Sequence, residues 1–213
     1  MTFAGRVSAY NRGRKWRRFL AEFAPSEHSR VLDVGFSDRE YSSVDNYIEK
    51  HYPWPHGLTA AGIDSPVEFP RRYPDVKALR YDGVRLPFAD GEFDIVWSNA
   101  VLEHVGGRDE QVAFVRELLR VGDALYLTTP NRFFPVEVHT RLPFVHWLPK
   151  TVFDRIAKSA GMGWAAGSYM HLMGRSGLRS ILDAAGAPDA RIVANRLGPW
   201  AVDFVAIVPR AAR

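Results

Sequence analysis

Cysteine is absent from the 213-residue chain, which excludes a disulfide framework and a thiolate metal site. The seven histidines offer no pair at metal-ligand spacing, and no carboxylate cluster accompanies them, so we expect no metal. No apolar run approaches the ~20 residues that a transmembrane segment needs. The basic start of the chain is followed by no apolar stretch of signal-peptide length. These absences predict a cytoplasmic chain without a transmembrane segment.

Two phosphate-binding signatures are also missing. The chain contains no GxxxxGK[ST], and no GxGxxG follows its first predicted strand. The first absence excludes a P-loop, and the second argues against a Rossmann oxidoreductase. The serines at 98 and 176 lack the GxSxG context of a hydrolase nucleophile.

Positive charge is concentrated at the N-terminus. The first 18 residues carry +6 and no acid, whereas the whole chain carries +4, which leaves −2 for the rest. The predicted helix over 8–23 has Trp16, Leu20 and Phe23 on one side, which we expect to dock onto the domain. Its basic side is either a solvated face or a peripheral contact with an anionic membrane. Nucleic acid is not an expected partner, because the remaining chain offers no extended basic surface.

Short apolar runs of strand length alternate with helical periodicity along the chain. Ser42 and Asp45 resemble a capping box, and Gly186 resembles a helix C-cap. This alternation is typical of a parallel sheet with helices on both faces. We therefore predict an α/β fold, Rossmann-like, with a seven-stranded, mostly parallel sheet and a C-terminal antiparallel hairpin, as a single domain over 1–213. The predicted strands are 30–35, 58–64, 76–81, 93–97, 124–129, 191–197 and 201–208, and the predicted helices are 8–23, 42–51, 109–120 and 176–185.

Polar residues follow the predicted parallel strands at their carboxyl ends, where open α/β sheets bind ligands. An acid stands at the end of each of the first three strands, namely Asp33, Asp64 and Asp82. Carboxylates accept hydrogen bonds from hydroxyls and amines, so the pattern fits a nucleoside better than a bare phosphate. Each acid also has a structural interpretation: Asp33 as the cap of the following helix, and Asp64 and Asp82 as turn residues.

Four ordered segments resemble the motifs of class I S-adenosylmethionine-dependent methyltransferases, in particular the ubiquinone/menaquinone methyltransferase branch. They cover roughly residues 30–135, and LPFADGEFDIVWSNAVLEHV is the most specific of them. The segments are VLDVG at 31–35, GID at 62–64, DGVRLPFADGEFDIVWSNAVLEHV at 82–105 and LYLTTPNRFFP at 125–135.

The resemblance implies a role for each matched strand end. Asp33 and Gly35 would form the turn beneath the methionine part of the cofactor, S-adenosyl-L-methionine. Asp64 would accept hydrogen bonds from the ribose hydroxyls. Asp82 would accept a hydrogen bond from the adenine amine, with the Gly83 backbone beside the ring.

The resemblance also implies where the reaction takes place. Ser98 and Asn99 would line the cofactor next to its sulfonium, and Glu103 and His104 would lie near the entry of the acceptor. His104 is the candidate general base, with packing as its alternative role. The implied function is methyl transfer to a small-molecule, lipid-linked or glycan acceptor.

The chain departs from the family pattern after its first strand. The family usually has Asp-x-Gly-x-Gly-x-Gly, whereas Ser37 and Arg39 replace the second and third glycines here. Glycine in such a loop allows positive φ and close backbone approach. The segment 41–56 also lengthens the span to Asp64. Two interpretations follow: a modified loop that helps to cover the site, or a domain that has lost cofactor binding.

The segment 133–174 is irregular and aromatic, and it follows the fifth predicted strand. We expect it to be a lid that lies over the carboxyl ends of the strands and forms most of the acceptor pocket. It contains His139 and His171, for which packing or hydrogen bonding is the alternative to a catalytic role. The aromatic side chains are either the core of this lid or part of a substrate site.

Overall fold

The structure is a computed structural model that describes residues 3–136, 140, 142–167 and 170–210, without the side chains of 3–7, 150 and 164. His139 lies outside the described residues. The helices are α1 (Phe3–Phe23), α2 (Tyr47–His51), α3 (Phe69–Arg72), α4 (Arg108–Val121), α5 (Lys150–Ser159) and α6 (Arg175–Ala185). The strands are β1 (Val31–Val34), β2 (Leu58–Gly62), β3 (Lys77–Arg80), β4 (Ile95–Asn99), β5 (Leu125–Pro130), β6 (Arg191–Leu197) and β7 (Trp200–Val208). Short 3-10 helices occur at Pro55–Gly57, Leu102–His104, Val145–Trp147 and Gly163–Ala165.

The seven strands form one sheet in the order β3-β2-β1-β4-β5-β7-β6. It is mostly parallel, and its C-terminal strands are antiparallel. The Rossmann-like fold predicted from the alternation is therefore confirmed. The chain divides into two compact units, one of Met1–Asn99, Arg116–Leu127 and Ile207–Arg213, the other of Ala100–Val115 and Thr128–Ala206. The single-domain description of the chain stays a prediction.

The central strand β1 fixes the alignment of its neighbours. All four of its residues are buried, and it pairs in parallel with β2 and with β4. Val34 pairs with Ala61, and Asp33 pairs with both Ala60 and Trp97. Because the strands are parallel and in register, their carboxyl ends lie at one edge of the sheet.

Helix α1 packs aromatic side chains onto the first unit. Phe19 is fully buried, with its ring centroid 5.1 Å from that of Trp97 and 5.6 Å from that of Tyr126. The Tyr126 hydroxyl donates to the carbonyl of Lys15, 2.8 Å away, which turns this side of the helix inward. Docking onto the domain is thus confirmed, but the buried side centres on Phe19 rather than on Leu20. The membrane contact of the basic side stays a prediction.

Two predicted helix starts are wrong. Helix α1 begins at Phe3, so the predicted start at Ser8 is wrong. The alanine and arginine that precede Ser8 in the chain favour a helix. Ser42 and Asp45 do exchange hydrogen bonds, but they close a turn, and α2 begins only at Tyr47. The cause is Asn46, whose left-handed backbone (φ 46°) separates that turn from the helix.

The C-terminal helix follows its predicted pattern closely. Gly186 ends α6 in the left-handed conformation with φ 99°, as a C-cap glycine should. The predicted apolar face is buried, and it comprises Leu178, Ile181, Leu182 and Ala185. The N-cap is Gly174 rather than Ser176. Within the described part of the chain, no helix is both long and apolar enough to cross a membrane.

Gly62, the last residue of β2, gives a test of the packing in this sheet. A Cβ there would lie 2.8 Å from Cε1 of the buried Phe36 ring, which is itself packed against Phe69. We expect Gly62→Ala to lower the free energy of unfolding by about 1–3 kcal/mol, because the ring must move within a packed core. Chemical denaturation measures this. Gly163→Ala is the control, since its Cβ would meet no atom closer than 3.9 Å, and an equal loss in both variants would contradict the packing explanation.

Candidate cofactor site

Two exposed carboxylates lie at the ends of neighbouring strands. Gly62 of β2 pairs with Arg80 of β3, and Asp64 and Asp82 each follow two residues later. Oδ1 of Asp82 accepts the backbone N–H groups of Val84 and Arg85, at 2.8 Å each. These bonds hold the pKa of Asp82 below its usual range. Asp82 is therefore an ionised carboxylate. It also stabilises its own turn, as expected from its interpretation as a turn residue.

Glycines with positive φ accompany these acids. Gly35 follows β1 with φ 117°, and its N–H donates to the carbonyl of Ala61 over 2.8 Å. Gly83 follows Asp82 with φ 82°. Both conformations strain any residue with a Cβ. Both positions therefore favour glycine, and their roles beside the cofactor stay a prediction.

The loop after β1 is built without the glycines that the family pattern has. Ser37 and Arg39 are not among the described residues with positive φ, so neither position demands glycine here. Instead, the Asn46 side chain holds the backbone of Ser37 on both sides. The Ser37 N–H donates to Asn46 Oδ1 (2.9 Å), and Asn46 Nδ2 donates to the Ser37 carbonyl (2.8 Å). Side-chain hydrogen bonds therefore replace glycine geometry in this loop.

Asp38 anchors the same loop and was not recognised in the sequence. Its Oδ1 accepts three backbone N–H groups, from Val67, Glu68 and Phe69, at 2.8–2.9 Å. The bond from Phe69 contributes most to keeping the pKa of Asp38 below its usual range. A carboxylate that accepts the first N–H groups of α3 complements the positive end of that helix. No sequence signal pointed to it, because Asp38 stands at a position where the family pattern admits any residue.

Asp33 lies in β1 with its carboxyl buried beside that of Glu49 on α2. It does not cap α2, whose N-cap is Asn46, so that interpretation is wrong. Burial raises the pKa of Asp33 to about 6, against the opposing effects of the Glu49 hydrogen bond and the Arg12 charge. Burial also raises the pKa of Glu49 well above its usual range, and the Asp33 charge raises it further. Neither Glu49 oxygen has another hydrogen-bond partner among the described residues. The pair is therefore stable when at least one of its carboxyls holds a proton.

Ser98 and Asn99 end β4. Ser98 is fully buried, and its hydroxyl donates to the carbonyl of Val34 over 3.1 Å, which ties the end of β4 to the end of β1. Asn99 is half-buried. The next residue, Ala100, has a left-handed backbone with φ 60°, which is unusual for a residue with a Cβ. Such strain is commonest at functional sites.

In the second unit, His104 lies beside a buried carboxylate. It ends the 3-10 helix at Leu102–His104, with 27% of its side chain exposed, and its Nε2 is 4.0 Å from Oε1 of Glu103. Glu103 is fully buried, and its Oε2 accepts the Thr129 hydroxyl over 3.1 Å. The His171 N–H donates to the Glu103 carbonyl over 2.7 Å. At 4.0 Å the contact between His104 and Glu103 is too long for a hydrogen bond, so the role of His104 as a general base stays a prediction.

The buried acid pair predicts how stability depends on pH. Folding raises the pKa of Asp33 from 3.8 to about 6. Its contribution to stability is therefore fully present below about pH 4 and is lost as the pH rises through about 6. We expect Glu49→Gln, which removes one acid, to raise the unfolding midpoint at pH 8 by a few degrees (about 2–4 °C per kcal/mol) and to flatten this pH dependence.

Thermal unfolding between pH 5 and pH 8 measures the effect, with the exposed Glu27→Gln as a control that leaves the profile unchanged. A Glu49→Gln protein that melts at a lower temperature than the parent at pH 8 would mean that Glu49 is ionised and stabilising in the folded chain.

The sequence of this chain matches one protein family, over residues 56–123, whose description is a methyltransferase domain. No curated protein matches it significantly. This finding agrees with the resemblance drawn above, and the matched span includes two of the motifs quoted there, at 62–64 and 82–105. The similarities found do not test the ubiquinone/menaquinone branch, which stays a prediction.

Solved methyltransferase structures share the fold. The CurJ carbon methyltransferase matches with a TM-score of 0.59 and 15% identity over 95% of this chain, which spans 54% of that chain. Magnesium protoporphyrin IX methyltransferase from Synechocystis, solved with bound S-adenosylhomocysteine, has a TM-score of 0.59 and 15% identity, over 99% of this chain and 89% of the other. The N-terminal domain of EvdMO1, solved in the presence of S-adenosylhomocysteine and D-fucose, has a TM-score of 0.54 and 20% identity, over 95% and 83% of the two chains. Residues 56–123 are thus similar to a methyltransferase domain, and the fold of the chain is shared with solved methyltransferases.

Proposed function

We propose that this chain binds S-adenosylmethionine at the ends of β1 to β4 and transfers its methyl group to a small-molecule acceptor. The assignment keeps the roles that the resemblance implies. Asp33 and Gly35 would form the turn under the methionine part, Asp64 would hold the ribose, and Asp82 and Gly83 would hold the adenine. Ser98 and Asn99 would line the sulfonium side. Since the Ser98 hydroxyl is engaged with Val34, its contribution would come from its backbone and from the position of β4.

The observation that carries the proposal is the pair of exposed carboxylates, Asp64 and Asp82, at matched positions on adjacent strands. Two neighbouring carboxylates repel an anionic ligand and accept hydrogen bonds from hydroxyls and amines. A nucleoside provides both, through a ribose diol and an exocyclic amine. Glycines with positive φ follow β1 (Gly35) and β3 (Gly83), where the missing Cβ would allow a ligand to approach the backbone closely. The residues present therefore fit the cofactor.

The cofactor supplies a methyl group already activated on a cationic sulfur. The remaining task of the chain is to align the acceptor with that methyl and to exclude water, which accounts for much of the rate in such reactions. His104 is the candidate to accept a proton from an oxygen or nitrogen acceptor, with Glu103 beside it. A lipid-linked or glycan acceptor fits the same chemistry, and the segment 133–174 stays the predicted lid.

Amide substitutions test the two carboxylates without disturbing their turns. Asp82→Asn keeps an oxygen that can accept the N–H groups of Val84 and Arg85, so the turn is preserved while the charge is lost. We expect Asp82→Asn and Asp64→Asn each to weaken S-adenosylhomocysteine binding about tenfold or more, because each removes a charge-assisted hydrogen bond. Isothermal titration calorimetry measures the affinities.

Asp75→Asn is the matched control for this experiment. Asp75 is an exposed acid that follows α3, away from both strand ends, and its replacement should leave the affinity unchanged. Wild-type affinity in both the Asp64 and the Asp82 variant would remove the basis of the site assignment.

A second experiment separates the proposal from its rivals, an oxidoreductase and a domain that has lost cofactor binding. A ligand that binds only the folded state stabilises it by about 2.7 kcal/mol at 100 times its Kd. We expect S-adenosylhomocysteine to raise the melting temperature and NAD to leave it unchanged. Stabilisation by NAD alone would support an oxidoreductase, and stabilisation by neither would support loss of cofactor binding.

A further inference from the structure

The second unit contains a cavity of about 500 Å³, a volume typical of sites that hold a drug-sized molecule. Its wall combines an apolar surface with two arginines, Arg108 and Arg132, and two histidines, His146 and His171. None of the described residues that line it is acidic. The apolar part of the wall includes Leu148, Phe153, Met170, Met173 and Ile181.

The apolar wall is supported by a small core of its own. Phe153 and Ala157 of α5 are buried together with Ala165, and Met162 and Met170 pack against them. Helix α5 therefore presents a fixed hydrophobic surface to the cavity rather than a loose loop. Gln111 is buried, and its Nε2 donates to the carbonyls of Leu102 (3.0 Å) and His171 (3.3 Å). That side of the wall is thus held by hydrogen bonds.

Both arginines are positioned by contacts that leave their charge available. The Arg132 backbone is held on two sides, because its N–H donates to the Met173 carbonyl (3.0 Å) and its carbonyl accepts the Trp147 indole N–H (2.9 Å). Within the described residues, no carboxylate forms an ion pair with Arg132. Arg108 donates to the neutral hydroxyl of Ser180 over 3.1 Å. Its ion pair with Asp109 is 3.9 Å long, and the Asp109 side chain is 97% exposed, so this pair screens the charge weakly.

We propose that this cavity binds an apolar small molecule that carries a carboxylate. Arginine guanidinium groups recognise carboxylates through paired N–H donors, and two of them at one cavity favour an anion over a neutral molecule of the same shape. The apolar wall supplies affinity through burial of the rest of the ligand. Assigning this cavity to the methyl acceptor rests on the proposed function. The acceptor would then be a hydrophobic compound that carries a carboxylate.

A matched pair of probes tests the proposal without the cofactor. We expect 2-naphthoate to bind the wild-type chain at least about tenfold more tightly than 2-naphthamide, which has the same shape and no charge. Titration followed by protein NMR or by tryptophan fluorescence measures both. Arg132→Ala and Arg108→Ala should each reduce naphthoate binding about five- to tenfold and leave naphthamide binding unchanged.

Arg155→Ala is the control variant, since Arg155 is an exposed arginine on α5 that does not line the cavity. Circular dichroism confirms that each variant is folded. Equal binding of the two probes by the wild-type chain, or absence of naphthoate binding, would overturn the proposal, as would an equal loss in all three arginine variants.

Calorimetry with S-adenosylhomocysteine on the same proteins separates this proposal from the proposed function. Binding of S-adenosylhomocysteine with no preference for naphthoate would overturn the carboxylate site alone. Arginine-dependent naphthoate binding without S-adenosylhomocysteine binding would overturn the proposed function and leave the cavity as a carboxylate site.

Discussion

The parallel pairing of β1 with β2 and β4 is the constraint on which the first unit depends. Because Asp33 pairs with Ala60 on one side and with Trp97 on the other, the carboxyl ends of the strands are aligned at one edge of the sheet. The same pairing places the side chain of Asp33 in the interior, where water does not stabilise its charge. A second acid, Glu49, lies beside it. The register therefore places next to a second acid a carboxyl whose pKa burial raises.

The loop after β1 shows how a chain can lose glycines and keep a defined loop. Glycine allows conformations that other residues avoid, but it leaves the loop flexible in the unfolded chain. Here Asn46 holds Ser37 by two hydrogen bonds, and Asp38 accepts three N–H groups at the start of α3. The longer segment between β1 and β2 is what supplies Asn46. Asn46, which lies in that segment, thus holds the loop by hydrogen bonds where the family pattern has glycines.

Local sequence patterns predicted the elements better than their ends. The helical period of the apolar residues and the position of Gly186 were sufficient to predict α6, whose buried face and C-cap are as expected. The same reasoning placed a helix start at Ser42, because a local pattern does not show the tertiary hydrogen bond between Ser37 and Asn46. The acids at strand ends were visible in the sequence, since they occupy fixed positions relative to apolar runs. The pairing of Asp33 with Glu49 was not, because sixteen residues separate them along the chain and only packing brings them together.

The two units differ in the charge of the side chains that they present to a ligand. The strand ends of the first unit present carboxylates, which suit a ligand that donates hydrogen bonds and carries a positive sulfur. The cavity of the second unit presents arginines and histidines among apolar side chains, which suit an anionic and hydrophobic ligand. Under the two proposals, each surface would repel the ligand of the other, so charge as well as shape would separate the methyl donor from the acceptor.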